Sequence, residues 1–129
     1  MLCIRYSPGD GCEISGSLTE LSEVAEAILY LSSSVSFLGD ITQPPAPYLL
    51  MLSSLVVRVG SGPVCATVQG GVLCVTAAPE FLEAFSSFFQ FDDTTPAGYH
   101  THHEYFPGNT QIAEESVPLV ITVHSQPVP

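Results

Sequence analysis

One short segment of the chain carries most of the side chains that could do chemistry. His100, His102 and Glu104 occupy every second position of a stretch, Tyr99–Phe106, whose pattern predicts a strand. Alternate side chains of a strand share a face, so these three are expected to point the same way. Two imidazoles and a carboxylate on one face resemble the facial triad that binds a divalent transition metal. The segment therefore predicts either such a metal site or a half-exposed sheet face that holds no ion.

The His-x-His pair and the preceding Pro96–Gly98 also resemble the first motif of the cupins, which implies a metal-dependent module. The sequence departs from that motif in three ways: Glu104 follows the second histidine by only two residues, Pro107 interrupts the strand before a glycine turn, and only His124 remains for a second motif. A metal-binding or cupin-like module built on the two histidines and Glu104 is therefore the alternative function.

Other catalytic patterns are missing from the sequence. The chain has no lysine, so it has no glycine-rich phosphate loop that ends in Lys. It also has no Gly-x-Ser-x-Gly elbow. Two arginines give little scope for the cationic clamps that phosphoryl transfer and anion chemistry need. A Cys–His nucleophile pair stays open, but no cysteine has neighbours that would lower its pKa. We expect no catalytic residue, no cofactor and no enzymatic activity.

The charge balance points to a class of partner. Arg5 and Arg58 face thirteen carboxylates, which gives a net charge of −11. Affinity for nucleic acid comes largely from Lys and Arg that neutralise phosphates, so we expect no nucleic-acid partner. Anionic membrane surfaces are disfavoured for the same reason. A basic protein surface is the natural complement, because opposite fields speed encounter and suppress wrong partners. Acidity that serves only solubility is the competing interpretation.

Length and composition predict one domain in the cytoplasm. The 129 residues, 46% of them hydrophobic, suffice for a single domain, with a loose tail expected from about residue 125. The first residues show no secretory leader, and no apolar run reaches the ~20 residues of a membrane span. Of the four cysteines none forms a Cys-x-x-Cys pair, and Cys3, Cys65 and Cys74 lie in apolar runs, so we expect buried free thiols.

Two helices are predicted from periodicity and start signals. Ser17 and Glu20 form a capping box, after which apolar residues recur on one face until about Ser32. Pro79 opens the second helix, where its missing N–H costs nothing. Four phenylalanines on one face of that helix are expected in the core: Phe81, Phe85, Phe88 and Phe89.

Strand and turn patterns complete the fold prediction. Residues Val35–Pro47 are expected to be a linker, because Pro44, Pro45 and Pro47 forbid helix. The expected strands are Leu2–Tyr6, Cys12–Ser15, Tyr48–Val59, Val64–Gln69, Val72–Thr76, Tyr99–Phe106 and Val117–His124, with a tight turn at Gly70-Gly71. The sequence predicts an α+β fold, with two helices packed on one face of a mostly antiparallel sheet of about six or seven strands.

Segments at the two ends of the chain resemble one family. His102–Gly108, followed after a short gap by Ser116–Ile121, resembles the carboxy-terminal signature of the bacterial immunity protein thirty-two family. Ile14–Ser17, which runs into a leucine-rich helix, is similar to the amino-terminal part of that family. The matching stretches cover about sixty residues, and the middle of the chain carries no recognisable motif.

The resemblance implies a function and a set of residues. Proteins of this family are expected to be encoded beside polymorphic toxins and to neutralise them inside the producing cell by occluding a toxin surface. The matching positions His102, Glu104 and Tyr105 are candidate partner-binding residues, whereas Ser116 and Pro118 are expected to be structural. The acidity suits a basic toxin. A homodimer that pairs through an exposed sheet edge is a third interpretation.

Overall fold

The chain forms nine strands and two helices in a computed structural model that describes residues 1–125. The strands are β1 (Cys3–Ser7), β2 (Gly11–Gly16), β3 (Ser34–Leu38), β4 (Leu50–Met51), β5 (Ser54–Val59), β6 (Cys65–Gln69), β7 (Val72–Ala77), β8 (His100–His103) and β9 (Leu119–Val123). The helices are α1 (Leu18–Leu29) and α2 (Leu82–Ser87), the second preceded by a 3₁₀ turn, Pro79–Phe81. The expected loose tail falls mainly on residues 126–129, which lie outside the described part.

The α+β class with two helices is confirmed. The strands, however, divide into two mixed sheets instead of one, with the orders β4-β1-β2-β9-β8 and β3-β5-β7-β6. Most neighbouring strands are antiparallel, and the parallel pairs are β2 with β9 and β5 with β7. In the first of these pairs a strand from the start of the chain lies beside the last strand.

Helix α1 forms as its sequence predicts. The Ser17 side chain accepts from the Glu20 N–H, and the Glu20 carboxylate accepts from the Ser17 N–H at 2.9 Å. The helix buries an apolar stripe that includes Leu21 and Ile28. It ends at Leu29, earlier than expected, because the chain must already turn into β3. Neither helix within residues 1–125 is long and apolar enough to cross a membrane.

Two predictions for the middle of the chain were wrong. The expected linker contains β3, whose side chains alternate between exposed and half-buried. The expected long strand is broken at Leu52-Ser53: β4 joins the five-stranded sheet and β5 the four-stranded one. Buried Leu52 donates to the carbonyl of Ile4, and Ser53 donates to the carbonyl of Gly71. The chain thus crosses between sheets within an apolar run, which a hydrophobic pattern does not reveal.

The predictions of a tight turn and of buried phenylalanines after Pro79 agree with the structure. Gly70 and Gly71, both with positive φ, make the tight turn between β6 and β7 as expected. Phe85 and Phe89 are fully buried, with ring centroids 5.4 Å apart in an edge-to-face contact. The buried Ser86 hydroxyl donates to the Ala25 carbonyl at 2.7 Å and so joins α2 to α1. The two helices therefore pack on each other as well as on the sheets.

The cysteines are free thiols. Cys12 is buried, and burial raises its pKa to about 12. Cys3, Cys65 and Cys74 are only half-buried, although the sequence places them in apolar runs. Burial also raises the pKa of Cys3 and of Cys65, so neither thiol is activated as a nucleophile.

Candidate protein-binding surface

The histidine segment lies at an edge of the five-stranded sheet. Within residues 1–125, strand β8 pairs only with β9, and it is shorter than predicted, ending at His103. The expected alternation is present: His100 and His102 are exposed, whereas Thr101 and His103 are half-buried on the other face. Glu104 is exposed and lies just after the strand. The pleat therefore divides this segment into an outer face and a face that packs inward.

The structure brings together two of the three predicted metal ligands. The rings of His100 and His102 lie 5.1 Å apart, centroid to centroid, and are nearly perpendicular. The Nδ1 atom of His100 is 3.2 Å from the carbonyl oxygen of Gly98, so one of its two ring nitrogens already has a hydrogen-bond partner in the preceding turn. Within residues 1–125, no three His, Cys, Asp or Glu side chains are placed to share an ion. Glu104 does not complete a facial triad in this arrangement.

His103 anchors β8 to the end of α2. Its ring stacks on Phe88 with centroids 3.9 Å apart and an angle of 15° between the planes. Its Nε2 atom lies 2.8 Å from the hydroxyl oxygen of Thr101. Burial lowers the pKa of His103 to about 4, and the neighbouring His102 contributes in the same direction. His103 is therefore neutral at physiological pH and holds the strand in place.

A shallow cavity of about 300 Å³ opens beside the end of β8. Phe88 and Ile112 supply apolar walls, and Glu104 and Phe106 also line it. The Phe106 side chain is 58% exposed, although it is large and apolar. This side chain therefore has apolar area that a protein partner could bury.

One side chain holds the loop that carries Phe106. The Asn109 amide donates to the carbonyl oxygen of Glu104 at 3.0 Å. The same side chain accepts from the N–H of Gln111 at 2.9 Å. These two bonds close the turn from both sides, so the loop is ordered before any partner arrives, which lowers the entropy cost of binding.

Further carboxylates line two other depressions near α2 and β8. A neighbouring groove, lined by Glu80 and Glu83, shares Gln111 with the cavity beside β8. A further depression, at the start of β8, is lined by Asp92 and the half-exposed Tyr99. Hydrogen bonds from Thr94 lower the pKa of Asp92 and keep it ionised. No Lys or Arg occurs in the sequence after Arg58. We call the combined area the β8–α2 surface, made of Glu80, Glu83, Asp92, Tyr99, His102, Glu104 and Phe106.

The remaining family-like residues have structural contacts. Tyr105 is half-buried and packs against the core, so less of it is available to a partner than of His102 or Glu104. The Ser116 hydroxyl accepts from the N–H of Ala66 at 2.9 Å and fastens residues 111–117 along β6. The Pro118 carbonyl accepts from the N–H of Cys12 at 2.9 Å. Pro118 thus has the structural role expected of it and immediately precedes a central strand, β9.

The sequence did not indicate a depression of about 660 Å³ on another part of the molecule. It lies over the outer face of β1 and β2, and its lining includes Arg5, Glu20, Asp40 and His124. Basic and acidic side chains approach each other here. Arg5 Nη1 lies 3.5 Å from Glu13 Oε1, and His124 Nε2 lies 3.8 Å from Glu20 Oε1. Because these residues are far apart in the sequence, only the alternation in β1 and β2 could have suggested that they share a face.

Comparison of the chain with family models, with curated proteins and with solved structures finds no match. The segments at the two ends of the chain on which the expected resemblance rests lie side by side in the fold. Residues 12–16 of β2 pair with residues 119–123 of β9, and β8 lies on the other side of β9. The β8–α2 surface is therefore built next to the strands that carry the resemblance.

Proposed function

We propose that this chain is a non-enzymatic protein-binding domain that acts as an immunity protein. It neutralises a cognate bacterial toxin by stoichiometric occlusion of a basic toxin surface, in the cytoplasm of the producing cell. The observation that carries the proposal is the β8–α2 surface, where exposed aromatic side chains accompany carboxylates and where no Lys or Arg of residues 1–125 lines the depressions.

The electrostatics of this surface favour a basic partner. Within residues 1–125, the ion pairs involve Glu13 and Glu20 and none of the carboxylates of the β8–α2 surface. One of the two arginines, Arg5, is engaged with Glu13 on another part of the molecule. The negative charge of the carboxylates near β8 is therefore not neutralised by these ion pairs. The resulting negative potential raises the rate of encounter with a cationic surface by roughly 10–10³-fold.

The apolar part of the surface supplies affinity. Charges steer the encounter, but a few well-placed aromatic side chains usually dominate the binding free energy. Phe106 and Tyr99 are 58% and 50% exposed, so both have apolar area left to bury. His102 and Glu104, the exposed members of the family-like segment, lie between them along the chain. We assign Phe106 and Glu104 the largest contributions.

The immunity role itself rests on the resemblance at the chain ends. His102–Gly108 and Ser116–Ile121 contribute β8, its loop and β9, and Ile14–Ser17 lies in and after β2. These segments form one side of the five-stranded sheet. Their contiguity supports treating them as a single signature.

The experiment uses the toxin domain encoded by the gene beside that of this protein. We expect the two proteins to copurify and to bind one to one in calorimetry. Glu104→Gln and Phe106→Ala should each weaken binding by about tenfold or more. Glu23→Gln on α1 makes the same charge change, and Leu49→Ala removes a 69% exposed side chain at the opposite edge of the sheet. Both controls should bind within about twofold of the parent.

Salt dependence provides a second readout of the same complex. Surface charges are screened over about 8–10 Å near physiological ionic strength, so binding should weaken as salt rises from about 50 to about 500 mM. The absence of a complex, or equal losses in the control variants, would contradict the proposal.

A metal-binding module is the second candidate, favoured by the adjacent rings of His100 and His102. Elemental analysis of protein purified without an affinity tag distinguishes the two functions. Stoichiometric metal that disappears in the double variant His100→Ala/His102→Ala would support the metal-binding function. Substoichiometric metal that the double variant leaves unchanged would remove it.

A further inference from the structure

The outer face of the four-stranded sheet carries no charged side chain except one arginine. In each of its strands alternate side chains turn inward, so that Leu55 and Leu73, for example, lie in the core. The other side chains are exposed or half-buried, and the strand register aligns them in three rows. We call this set the charge-poor face, whose rows are Leu38, Ser54, Val72 and Gln69; Ser36, Val56, Cys74 and Thr67; and Ser34, Arg58, Thr76 and Cys65.

The lack of carboxylates on this face contrasts with the rest of the molecule. The chain has thirteen Asp and Glu residues and a net charge of −11. The outer face of the five-stranded sheet carries Arg5 and Glu13, whose side chains lie 3.5 Å apart, and the imidazoles of His100 and His102. Glu115 lies at the border of the charge-poor face, in the segment that runs along β6. Depletion of charge distinguishes the centre of a protein interface from other surface, so the charge-poor face is suited to contact with a protein.

The charges also indicate which protein would bind there. A basic toxin is attracted to the carboxylates elsewhere on the chain, and on this face it would meet Arg58 and no opposite charge. A second copy of this chain has the reverse preference. Two copies with a net charge of −11 repel each other over most of their surface, and they repel least where neither presents a carboxylate. The occupant that the charges favour is therefore another copy of the same chain.

We propose that the charge-poor faces of two copies pack against each other, which gives a symmetric dimer with its two four-stranded sheets face to face. Val56 and Cys74 lie at the centre of the face, so the twofold axis passes near them. An axis along the strands sets Arg58 against Thr76 of the second copy, and an axis across the strands sets it against Ser54. The two guanidinium groups face each other in neither arrangement. The dimer uses no residue of the β8–α2 surface, and it does not depend on the function proposed above.

The size of the face sets the strength of this contact. Four strands ~4.8 Å apart and about five residues long give a face roughly 20 Å by 17 Å. Packed sheets lie ~10 Å apart, so side chains of the two faces interdigitate. Val56 and Val72 are half-buried and Leu38 is 71% exposed, so all three have apolar area left to bury. The contact is small for a specific interface, and we expect a reversible dimer with a dissociation constant in the micromolar range.

The test is the oligomeric state of the full chain in sedimentation velocity between about 5 and about 500 µM, near physiological salt. We expect a reversible monomer–dimer equilibrium. Val56→Glu places a carboxylate at the centre of both faces and should weaken association by about tenfold or more. Val120→Glu makes the same change at a half-buried, outward-facing valine in a central strand of the other sheet. This control should associate within about twofold of the parent.

The cysteines of the chain identify the face that is covered. Cys65 and Cys74 lie on the charge-poor face, whereas Cys3 lies on the outer face of the five-stranded sheet, and all three are half-buried free thiols. Alkylation by iodoacetamide can be followed at each cysteine by mass spectrometry. Labelling of Cys74 should slow several-fold between about 5 and about 500 µM protein, while labelling of Cys3 should keep its rate.

Three results would overturn the proposal. The first is a chain that stays monomeric over the whole concentration range. The second is an equal loss of association in Val56→Glu and Val120→Glu, which would mean that the centre of the charge-poor face has no special part in the contact. The third is a dimer in which the labelling rate of Cys74 does not change, because the interface would then lie elsewhere on the molecule.

Discussion

Protonation of His103 should destabilise the fold between about pH 6.5 and about pH 4. The folded state holds this ring against Phe88 and lowers its pKa from the ordinary value of 6.5 to about 4. Above pH 6.5 the ring is neutral in both folded and unfolded chains, so its packing contributes fully to the free energy of unfolding. As the pH falls, the unfolded chain takes up a proton that the folded chain does not. The contribution is therefore lost as the pH approaches 4.

The size of this destabilisation follows from how far the pKa of His103 is lowered. A fall of the pKa from 6.5 to about 4 corresponds to roughly 3.4 kcal/mol, at 1.36 kcal/mol per pKa unit. Because the ring is only half-buried, solvent screening reduces this free energy, and we expect protonation of His103 to destabilise the fold by ~1–2 kcal/mol. His103→Phe retains the stacking on Phe88 and removes the titration. Between about pH 7 and about pH 4.5, the free energy of unfolding of the parent chain should fall by ~1–2 kcal/mol more than that of the variant.

Urea unfolding at the two pH values measures this difference. Comparison with His103→Phe cancels the contributions of carboxyl groups whose pKa is also lowered, such as Glu20 and Asp92. The ring proton signals of His103 in an NMR titration give its pKa directly. Identical pH dependence in the two chains, or a His103 pKa near 6.5, would refute the packing of β8 on α2.

Further predictions concern the packing that supports this site. Gly11→Ala should cost about 2–4 kcal/mol in urea unfolding, because its φ is +117° and a Cβ would lie 2.6 Å from the Pro118 carbonyl oxygen. Gly62→Ala, whose φ is +78° but whose Cβ would meet nothing within 4 Å, should cost only about 1 kcal/mol; equal costs would contradict the close approach. Ser86→Ala should cost about 1–2 kcal/mol, because it removes the buried hydrogen bond between the helices. The exposed Ser87→Ala serves as its control and should change stability by less than about 0.5 kcal/mol.

The sequence predicts those parts of the fold that local chemistry decides. The capping box at Ser17 determines where α1 begins, and the Gly70-Gly71 pair determines the turn between β6 and β7. The alternation of exposed and half-buried side chains in β8 also follows from the extended backbone alone. In each case a few neighbouring residues suffice.

Features that depend on long-range packing could not be predicted in this way. Leu52-Ser53 lies in an apolar run, and only its contacts with Ile4 and Gly71 show that the chain changes sheets there. β3 alternates, but its exposed positions are Ser34, Ser36 and the apolar Leu38, so its polar–apolar pattern is weak. The candidate surface combines residues 80–83, 92 and 99–106, which only the packing of α2 against β8 brings together.

A titration of the neighbouring toxin domain's activity with this protein tests the central claim most directly. We expect a linear loss of toxin activity that is complete at one molecule of this chain per toxin. For Phe106→Ala, complete loss should require a large excess of the variant. Neutralisation by far less than one equivalent would instead indicate catalysis, and undiminished toxin activity at a large excess would show that this toxin is not its partner.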